Sequence, residues 1–408
     1  MDAVTRAVQA MYAAFPYPSG APKLRQGADP RLLASYAQSS RGGSRPLRVL
    51  DAGCGRGVGL LGAASVAPEV EFTGIDLCRP SLDHVASEVE RRGLTNVRLA
   101  EVDLMTLDGL EVPPEGFDVV LSSGVVHHLS DPAQGLARLR DVLAPEGVLS
   151  LMVYGRRGRE SLYRLVRAVD ALCPRELPLV DRLAQARALV AGTHSEILDA
   201  GPWDDLETID DTEFVDRYLN VNETSYDVPT LFELIGTAGL QFLRWVEPRD
   251  WSVDALSPTD ALRARLEALA PERRFELIDE LCWRPSLELV AVGPRARARE
   301  ATGREDEWLA WSPEATLSVT RRPLASGERV EQVELQVRTR ERSPLPTDGT
   351  AQVALLLERQ STPFARRELL GEAVHNGLSH EAANTAIDAL LAEEALYRPH
   401  AADVARMQ

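Results

Sequence analysis

At 408 residues the chain is long enough for two or three cores, and its formal net charge of −17, from 45 basic and 62 acidic side chains, lacks the cationic excess that grips a nucleic-acid backbone. Hydrophobic content of 44% and charged content of 26% are those of a globular protein, and no apolar run approaches the ~20 residues that cross a bilayer. The four cysteines, Cys54, Cys78, Cys173 and Cys282, form no CxxC pair, so reduced thiols and a cytoplasmic location are expected.

The first residues, "MDAVTRAVQAMYAAF", lack the basic start and apolar run of a signal peptide. They lead into "FPYPSGAP", where Phe15 and Tyr17 alternate with prolines, and residues 1–45 are expected to form an N-terminal cap or lid. A regular alternation follows. "LRVLDAG" (47–53) reads as a buried strand and "VGLLGAASVA" (58–67) as the helix after it. "EFTGID" (71–76) is a second strand. "PSLDHVASEVERRG" (80–93) is a helix with Ser81 as its N-cap and Gly93 as its stop. "NVRLAEVD" (96–103) and "FDVVLSS" (117–123) are strands. "DPAQGLARLRDVLAPEG" (131–147) is a helix opened by Asp-Pro, and "VLSLMVYG" (148–155) is a fifth strand. Strands alternating with helices predict a parallel α/β sheet with right-handed crossovers.

Between about 156 and 228 the pattern becomes helical without strands, an insert. It resumes with helix 229–240, strand 241–247, a helical interruption at 258–283 and a last strand at 286–293. The charged run "PRARAREATGREDE" (294–307) marks a boundary. Beyond it, "ATLSVTRR" and "VEQVELQVRTR" alternate like strands. Helical segments "TAQVALLLERQ", "PFARRELLGEAV" and "SHEAANTAIDALLAEEALY" complete the chain. The expected units are thus a domain over 46–297 and a small winged-helix-like α+β domain over 305–408.

The chemistry concentrates in "VLDAGCGRGVG" (49–59). Asp51 ends a strand, and Gly53, Gly55 and Gly57 follow at alternate positions. Glycine lets a backbone turn sharply and a ligand approach it, and a helix starting there aims free N–H groups at an anion. The spacing fits neither the dinucleotide fingerprint nor a P-loop, which speaks against a nicotinamide oxidoreductase. Asp76 ends the second strand, where an acid can accept hydrogen bonds from both hydroxyls of a ribose. Asp103-Leu104 end the third, placed to meet an adenine, and "SSGVVHHL" (122–129) follows the fourth, beside the switch point of the sheet.

Together "VLDAGCGRG", "GIDLC", "EVDLM" and "FDVVLSSGVVHHLSDPAQGLARLRDVLAPEGVLSLMVY" resemble the successive motifs of class I S-adenosylmethionine-dependent methyltransferases, closely over about 46–155 and more loosely to the last strand. The resemblance implies a Rossmann-like seven-stranded sheet with an antiparallel last strand, and S-adenosylmethionine as cofactor. It puts Asp51, Gly53 and Gly55, with Cys54 packed in the same loop, around the cofactor's amino-acid part. Asp76 takes the ribose, Asp103 and Leu104 the adenine, and Ser122, Ser123 and Gly124 the floor by the sulfonium, with Leu77 also among the cofactor-binding residues. The segment before the first strand is expected to fold over the cleft, with Tyr12 and Tyr17 facing cofactor or substrate.

The reaction so implied is methyl transfer to an N, O or C nucleophile of a small molecule or peptide, and a protonated nucleophile needs a base. The candidates are His128, His127, Tyr154 and Glu223, in that order. Asn222 and Tyr226, ahead of a cleft-flanking helix, are candidate substrate contacts. No third ligand stands near the histidine pair at useful spacing, so no metal is expected. Arg156, Arg157 and Arg159 read as a solvated cluster sooner than as an anion site. Two alternatives stand beside this reading: a protein or nucleic-acid methyltransferase that recognises its target through the C-terminal domain, and a catalytically silent cofactor-binding regulator. Against nucleic acid, residues 361–408 hold four arginines, no lysine and seven acids. That domain is expected to dock a partner, a second copy or a peptide.

Overall fold

The computed structural model describes residues 1–19, 29–38, 45–192, 208–299 and, from 305 on, all but 325–326, 339, 348, 359, 361, 401–402 and 405–408. Residues 193–207 of the expected insert and 300–304 of the charged linker lie outside the described residues. The chain divides into two compact units, Met1–Gln26 with Arg48–Arg295, and Gly27–Leu47 with Ala296–Gln408. The stretch read as one N-terminal cap is therefore divided between them.

The first unit is built on a sheet of seven strands: β1 (Arg48–Ala52), β2 (Glu71–Asp76), β3 (Val97–Glu101), β4 (Phe117–Ser123), β5 (Leu143–Tyr154), β6 (Gln241–Trp245) and β7 (Ser286–Val292). They lie in the order β3-β2-β1-β4-β5-β7-β6. β1 to β5 pair in parallel, and β7 runs antiparallel to both β5 and β6. Central strands of a parallel sheet are covered on both faces, and accordingly Val49, Leu50, Ala52, Val119, Val120, Val148 and Leu149 are all buried. The strand order reverses between β1 and β4, which opens a crevice at the carboxyl ends of these strands.

Two boundaries differ from expectation. The helix Arg79–Arg92 has Cys78, not Ser81, at its N-cap position, with no side-chain capping bond, and Ser81 is buried inside the first turn behind Pro80; proline without its N–H suits that first turn. The helix after Asp131 spans only Pro132–Asp141, and residues 143–147 join β5. Pro145 biases its predecessor away from helical backbone, which ends the helix early.

The insert contributes the helices Glu160–Leu172, Leu179–Ala191 and Asp211–Tyr218. With the N-terminal helix Ala3–Ala14 they bury a separate core of Met11, Leu162, Val169, Leu183, Phe214 and Tyr218.

In the second unit β9 (Ala315–Leu324) and β10 (Gly327–Val337) form a hairpin joined by β11 (Ser343–Pro344). A second small sheet orders β12 (Phe364–Ala365), β8 (Trp308–Trp311) and β13 (Leu396–Tyr397). The helices Thr350–Leu356, Arg366–His375 and His380–Ala392 pack Val353, Leu370 and Ile387 into its core. Leu396–Tyr397, read from the sequence as the end of a helix, is instead a strand. The helix stops at Ala392, and Glu394 takes a left-handed φ of 60° that turns the chain back onto β8. Arg366, fully buried, is held by Glu307 at 2.9 Å and Asp388 at 2.8 Å. Residues 29–38 belong here: the Tyr36 hydroxyl donates to Glu394 at 3.0 Å and accepts from Arg338 at 2.8 Å, and Ala37 bridges Ala298.

Candidate active site

Four strand ends converge on one edge of the sheet. After β1 the chain turns through Gly53 and Gly55, at φ +86° and +50°. The N–H groups of Gly53 and Cys54 both donate to the Ile75 carbonyl, at 2.8 and 2.9 Å, which folds the loop onto the end of β2. A Cβ on Gly53 would come within 2.4 Å of the Val125 side chain, so both φ and space require glycine. Cys54 is buried beneath the loop.

Asp76 accepts Gly55 N–H on Oδ2 and Cys78 N–H on Oδ1, each at 2.8 Å. Each oxygen keeps lone-pair capacity outward. Burial raises the Asp76 carboxyl above its ordinary range despite these bonds. Burial, with Asp76 beside it, pushes Asp51 up to about 7, and no side-chain hydrogen bond to Asp51 is found among the described residues. Asp51 and Asp76 are thus two neighbouring buried acids, both raised by burial, at the mouth of the glycine loop. Asp103 accepts Met105 N–H at 2.9 Å, and Leu104 is buried behind it. At the end of β4, Ser122 is buried with its hydroxyl unpartnered, Ser123 is exposed, and Gly124 N–H donates to Met152 O at 3.2 Å. These residues therefore share one edge, as their motif order implied.

The N-terminal segment lies against the same loops. Gln9 donates to the Leu77 carbonyl at 3.0 Å, the Cys78 thiol to Tyr12 O at 3.5 Å, and the Tyr17 carbonyl sits 3.0 Å from where a Gly55 Cβ would be. Asp2, which caps the N-terminal helix through Thr5 N–H, also accepts from Ser130 at 2.8 Å.

Next to these loops lies a buried cluster of rings and charges. His127 and His128 follow β4 on a 3-10 turn, and Tyr154 ends β5. The His127 ring lies 4.0 Å from the Tyr154 ring, and His128 packs edge-on to both Tyr154 and Tyr12. His128 Nδ1 lies 2.9 Å from the Asn222 carbonyl. A carbonyl only accepts, so Nδ1 carries the proton and the Nε2 lone pair of the neutral ring is open. Nε2 is buried without a partner. Asn222 reinforces the turn by donating to the carbonyls of His128 and Leu129, both at 3.0 Å. His127 is fully buried with neither ring nitrogen paired, and burial, with His128 and Arg159 nearby, holds it neutral.

The sequence reading missed the hub of this cluster. Asp216, buried on the insert helix Asp211–Tyr218, accepts the hydroxyls of Tyr12 at 2.8 Å and Tyr154 at 3.2 Å. Burial and this carboxylate keep both phenols protonated far above the ordinary tyrosine range. Tyr17 is raised likewise, by burial and by Asp216 and Glu213. The helical pattern of "DTEFVDRYLN" could have flagged Asp216, which lies two residues after Phe214 and two before Tyr218, both buried.

Glu223 accepts the Tyr163 hydroxyl on Oε1 at 2.8 Å, and its Oε2 is buried without a partner. Of the arginine cluster, Arg156 is exposed as expected, Arg157 is partly buried and Arg159 is buried. Arg156 pairs with Asp227 at 3.1 Å and Arg157 with Asp279 at 2.6 Å, while Arg159 is buried with its guanidinium 3.6 Å from the centre of the Tyr154 ring. Tyr226 sits in the sheet's own core and bridges Gly155 through its backbone.

A family model described as a methyltransferase domain matches residues 50–149. An uncharacterized protein of Synechococcus is 33% identical over 296 residues, covering 69% of this chain and 69% of that protein. An uncharacterized methyltransferase of Mycobacterium bovis is 34% identical over 107 residues, 26% of this chain and 50% of its own, so the chain spans only about half of that relative. Among solved structures, PKMT2 of Rickettsia typhi in complex with AdoHcy superposes with a TM-score of 0.66 at 17% identity, over 95% of this chain and 78% of that one. At that identity the likeness is one of fold. No helix among the described residues is long and apolar enough to cross a membrane.

Proposed function

We infer the function from one premise: the chain belongs to the class I S-adenosylmethionine-dependent methyltransferases. When bound, the cofactor supplies a methyl carbon on a sulfonium, whose carbon–sulfur electron pair leaves with sulfur as an acceptor's lone pair forms the new bond. The strand-end residues fit such a group. Asp51, with no donor of its own, suits an ammonium, and the outward lone pairs of Asp76 suit the two ribose hydroxyls. Asp103 and Leu104 flank the adenine position, Gly53, Cys54 and Gly55 shape the loop around the amino-acid part, and Ser122 to Gly124 form the floor. Residues 1–19, against Gly55, Leu77 and Cys78, act as the roof that excludes water.

The acceptor binds beside His128, and the acceptor is an N or O nucleophile that must shed a proton. The observation that carries this reading is the His128 ring, buried, its tautomer set by the Asn222 carbonyl and its Nε2 unpartnered. His128 takes the proton at Nε2. Tyr154 and Tyr12, held protonated by Asp216, serve to line and orient, and His127 packs the Tyr154 ring. The second unit, read from the sequence as a winged-helix-like accessory domain, docks a partner, a second copy or a peptide.

The test has two arms. Calorimetric titration of S-adenosylmethionine should show binding to wild type and loss in Asp76→Ala. Labelled methyl transfer into a host extract should then mark a product that His128→Gln no longer makes. Absence of cofactor binding by wild type overturns the reading.

A further inference from the structure

We propose that Asp216 is the latch of the roof: a positioning residue that, by holding the Tyr12 hydroxyl, sets how fast S-adenosylmethionine enters and leaves without setting how tightly it binds. This rests on residues 1–19 covering the cofactor, as inferred above.

The roof is tied down by one short helix of the insert. Residues Asp211–Tyr218 form that helix, and Asp210 is its N-cap. Asp216, buried near its far end, accepts the Tyr12 hydroxyl at 2.8 Å, and Asp210 accepts the Ser19 hydroxyl. Tyr17 lies between these two ties in sequence, with its carbonyl against Gly55. The piece of chain that crosses the glycine loop is thus fastened on both sides to the same helix. Apolar packing joins the two as well, because Met11, Phe214 and Tyr218 share a core on which Tyr12 and Phe15 rest.

The ties are unequal. The Ser19 bond is exposed, as is that of Asp2 to Ser130, and Gln9 donates to a neutral carbonyl. Asp216 is buried, and its other oxygen accepts the Tyr154 hydroxyl at 3.2 Å, which fixes the carboxylate to the end of β5. Lifting the roof takes the Tyr12 hydroxyl away from this carboxylate inside a buried site, the costly kind of loss. Tyr12 oxygen also accepts Asn220 Nδ2 at 3.3 Å, and Asn220 Oδ1 accepts Asn222 N–H at 3.1 Å. Asn222 in turn holds the His128 ring. The latch therefore stands between the roof and the histidine turn.

Both partners of the Tyr12–Asp216 bond are side chains of this protein, and neither lies among the strand-end residues assigned to the cofactor. The bond holds the roof down to the same degree with the cofactor beneath it or without. Weakening it raises the open fraction equally in both states, so entry and exit quicken by one factor and their ratio, the affinity, stays the same. A residue that shapes the pocket behaves otherwise: its loss weakens affinity, mostly through faster exit.

The experiment uses the full chain and needs no methyl acceptor. Wild type, Tyr12→Phe, Asp216→Asn and the double variant are mixed with S-adenosylhomocysteine in a stopped-flow instrument and titrated calorimetrically. Tyr12→Phe keeps the packed ring and removes only the hydroxyl. Each single variant should speed association and dissociation alike by roughly tenfold, the scale of one hydrogen bond to a charged group, with Kd within about twofold of wild type. The double variant should be no faster than the faster single one, because both remove the same bond. A second arm, without ligand, follows amide exchange of the helix Ala3–Ala14, which should quicken by a similar factor in each single variant. Should Asp216→Asn fail to fold, Tyr12→Phe decides alone. Wild-type rates or wild-type amide exchange in Tyr12→Phe, a Kd that weakens as exit quickens, or additive effects in the double variant overturn the latch. If S-adenosylhomocysteine does not bind wild type, the methyltransferase reading falls separately, and the exchange arm still shows whether Asp216 holds the helix.

Discussion

Replacing Asp51 by asparagine should stabilise the empty protein and cripple the loaded one. Burial beside Asp76 moves this carboxyl from 3.8 to about 7. In the unfolded chain it ionises near 3.8, so the folded protein holds an extra proton between these values. Stability from this group is therefore full below pH 3.8 and is lost as pH rises through 7. A shift of roughly 3 units at 1.36 kcal/mol each is about 4 kcal/mol, and solvent reaching the half-buried loop screens it to about 2–3 kcal/mol. For a unit of this size that is about 5 °C in melting temperature. Thermal melts from pH 5 to 8.5, which cover roughly two of these three units, should show wild type losing about two-thirds of that and Asp51→Asn staying nearly flat. With S-adenosylmethionine present the order should reverse, because the ammonium needs the ionised acid, and wild-type affinity should rise with pH up to about 7. A wild-type profile as flat as the variant's, or unchanged cofactor affinity in Asp51→Asn, would refute the placement of this acid as an unsatisfied ligand.

Gly53→Ala should abolish cofactor binding and lower stability by about 2–3 kcal/mol, since it combines a positive φ with a clash against Val125; Val125→Ala should restore part of the stability but not the backbone conformation, as denaturant midpoints would show. His128→Gln should leave cofactor affinity within about twofold while slowing methyl transfer by 10²–10⁴-fold, and equal losses in both would point to collapse of the turn. Tyr17→Ala should weaken cofactor binding and raise the dissociation rate measured by stopped flow; wild-type values would reduce the roof to a linker. Arg366→Met should lower the melting temperature of the second unit, because Glu307 is left buried without that partner; unaltered melting would show the pair to be energetically neutral.

Much of the first unit was readable because each of its signals is local. A glycine loop, an acid at a strand end and a buried apolar run all lie within a few residues, and β1 to β4 fall where their patterns place them. Helix ends were less legible. Cys78 has no capping side chain that a reader would choose over Ser81, and Pro145 acts on its neighbour through sterics that the apolar pattern hides. Asp216 escaped because its meaning comes from Tyr12, 204 residues away, and Tyr154, 62 away. Arg159 escaped for the same kind of reason: among three arginines in four positions, only tertiary packing decides which one stacks on a ring. The two-residue strands β12 and β13 are too short to have a period at all.

The bond between Tyr36 and Glu394 joins residues 358 positions apart. At roughly 5–20 residues per second of synthesis, the segment 29–38 leaves the ribosome about 18–70 seconds before its partners exist. Its apolar side chains, among them Leu32 and Leu33, must wait that long in solvent or in the care of a chaperone. The second unit thus cannot close until Glu394 is made, although it includes residues 29–38. Slowing translation lengthens this interval in proportion.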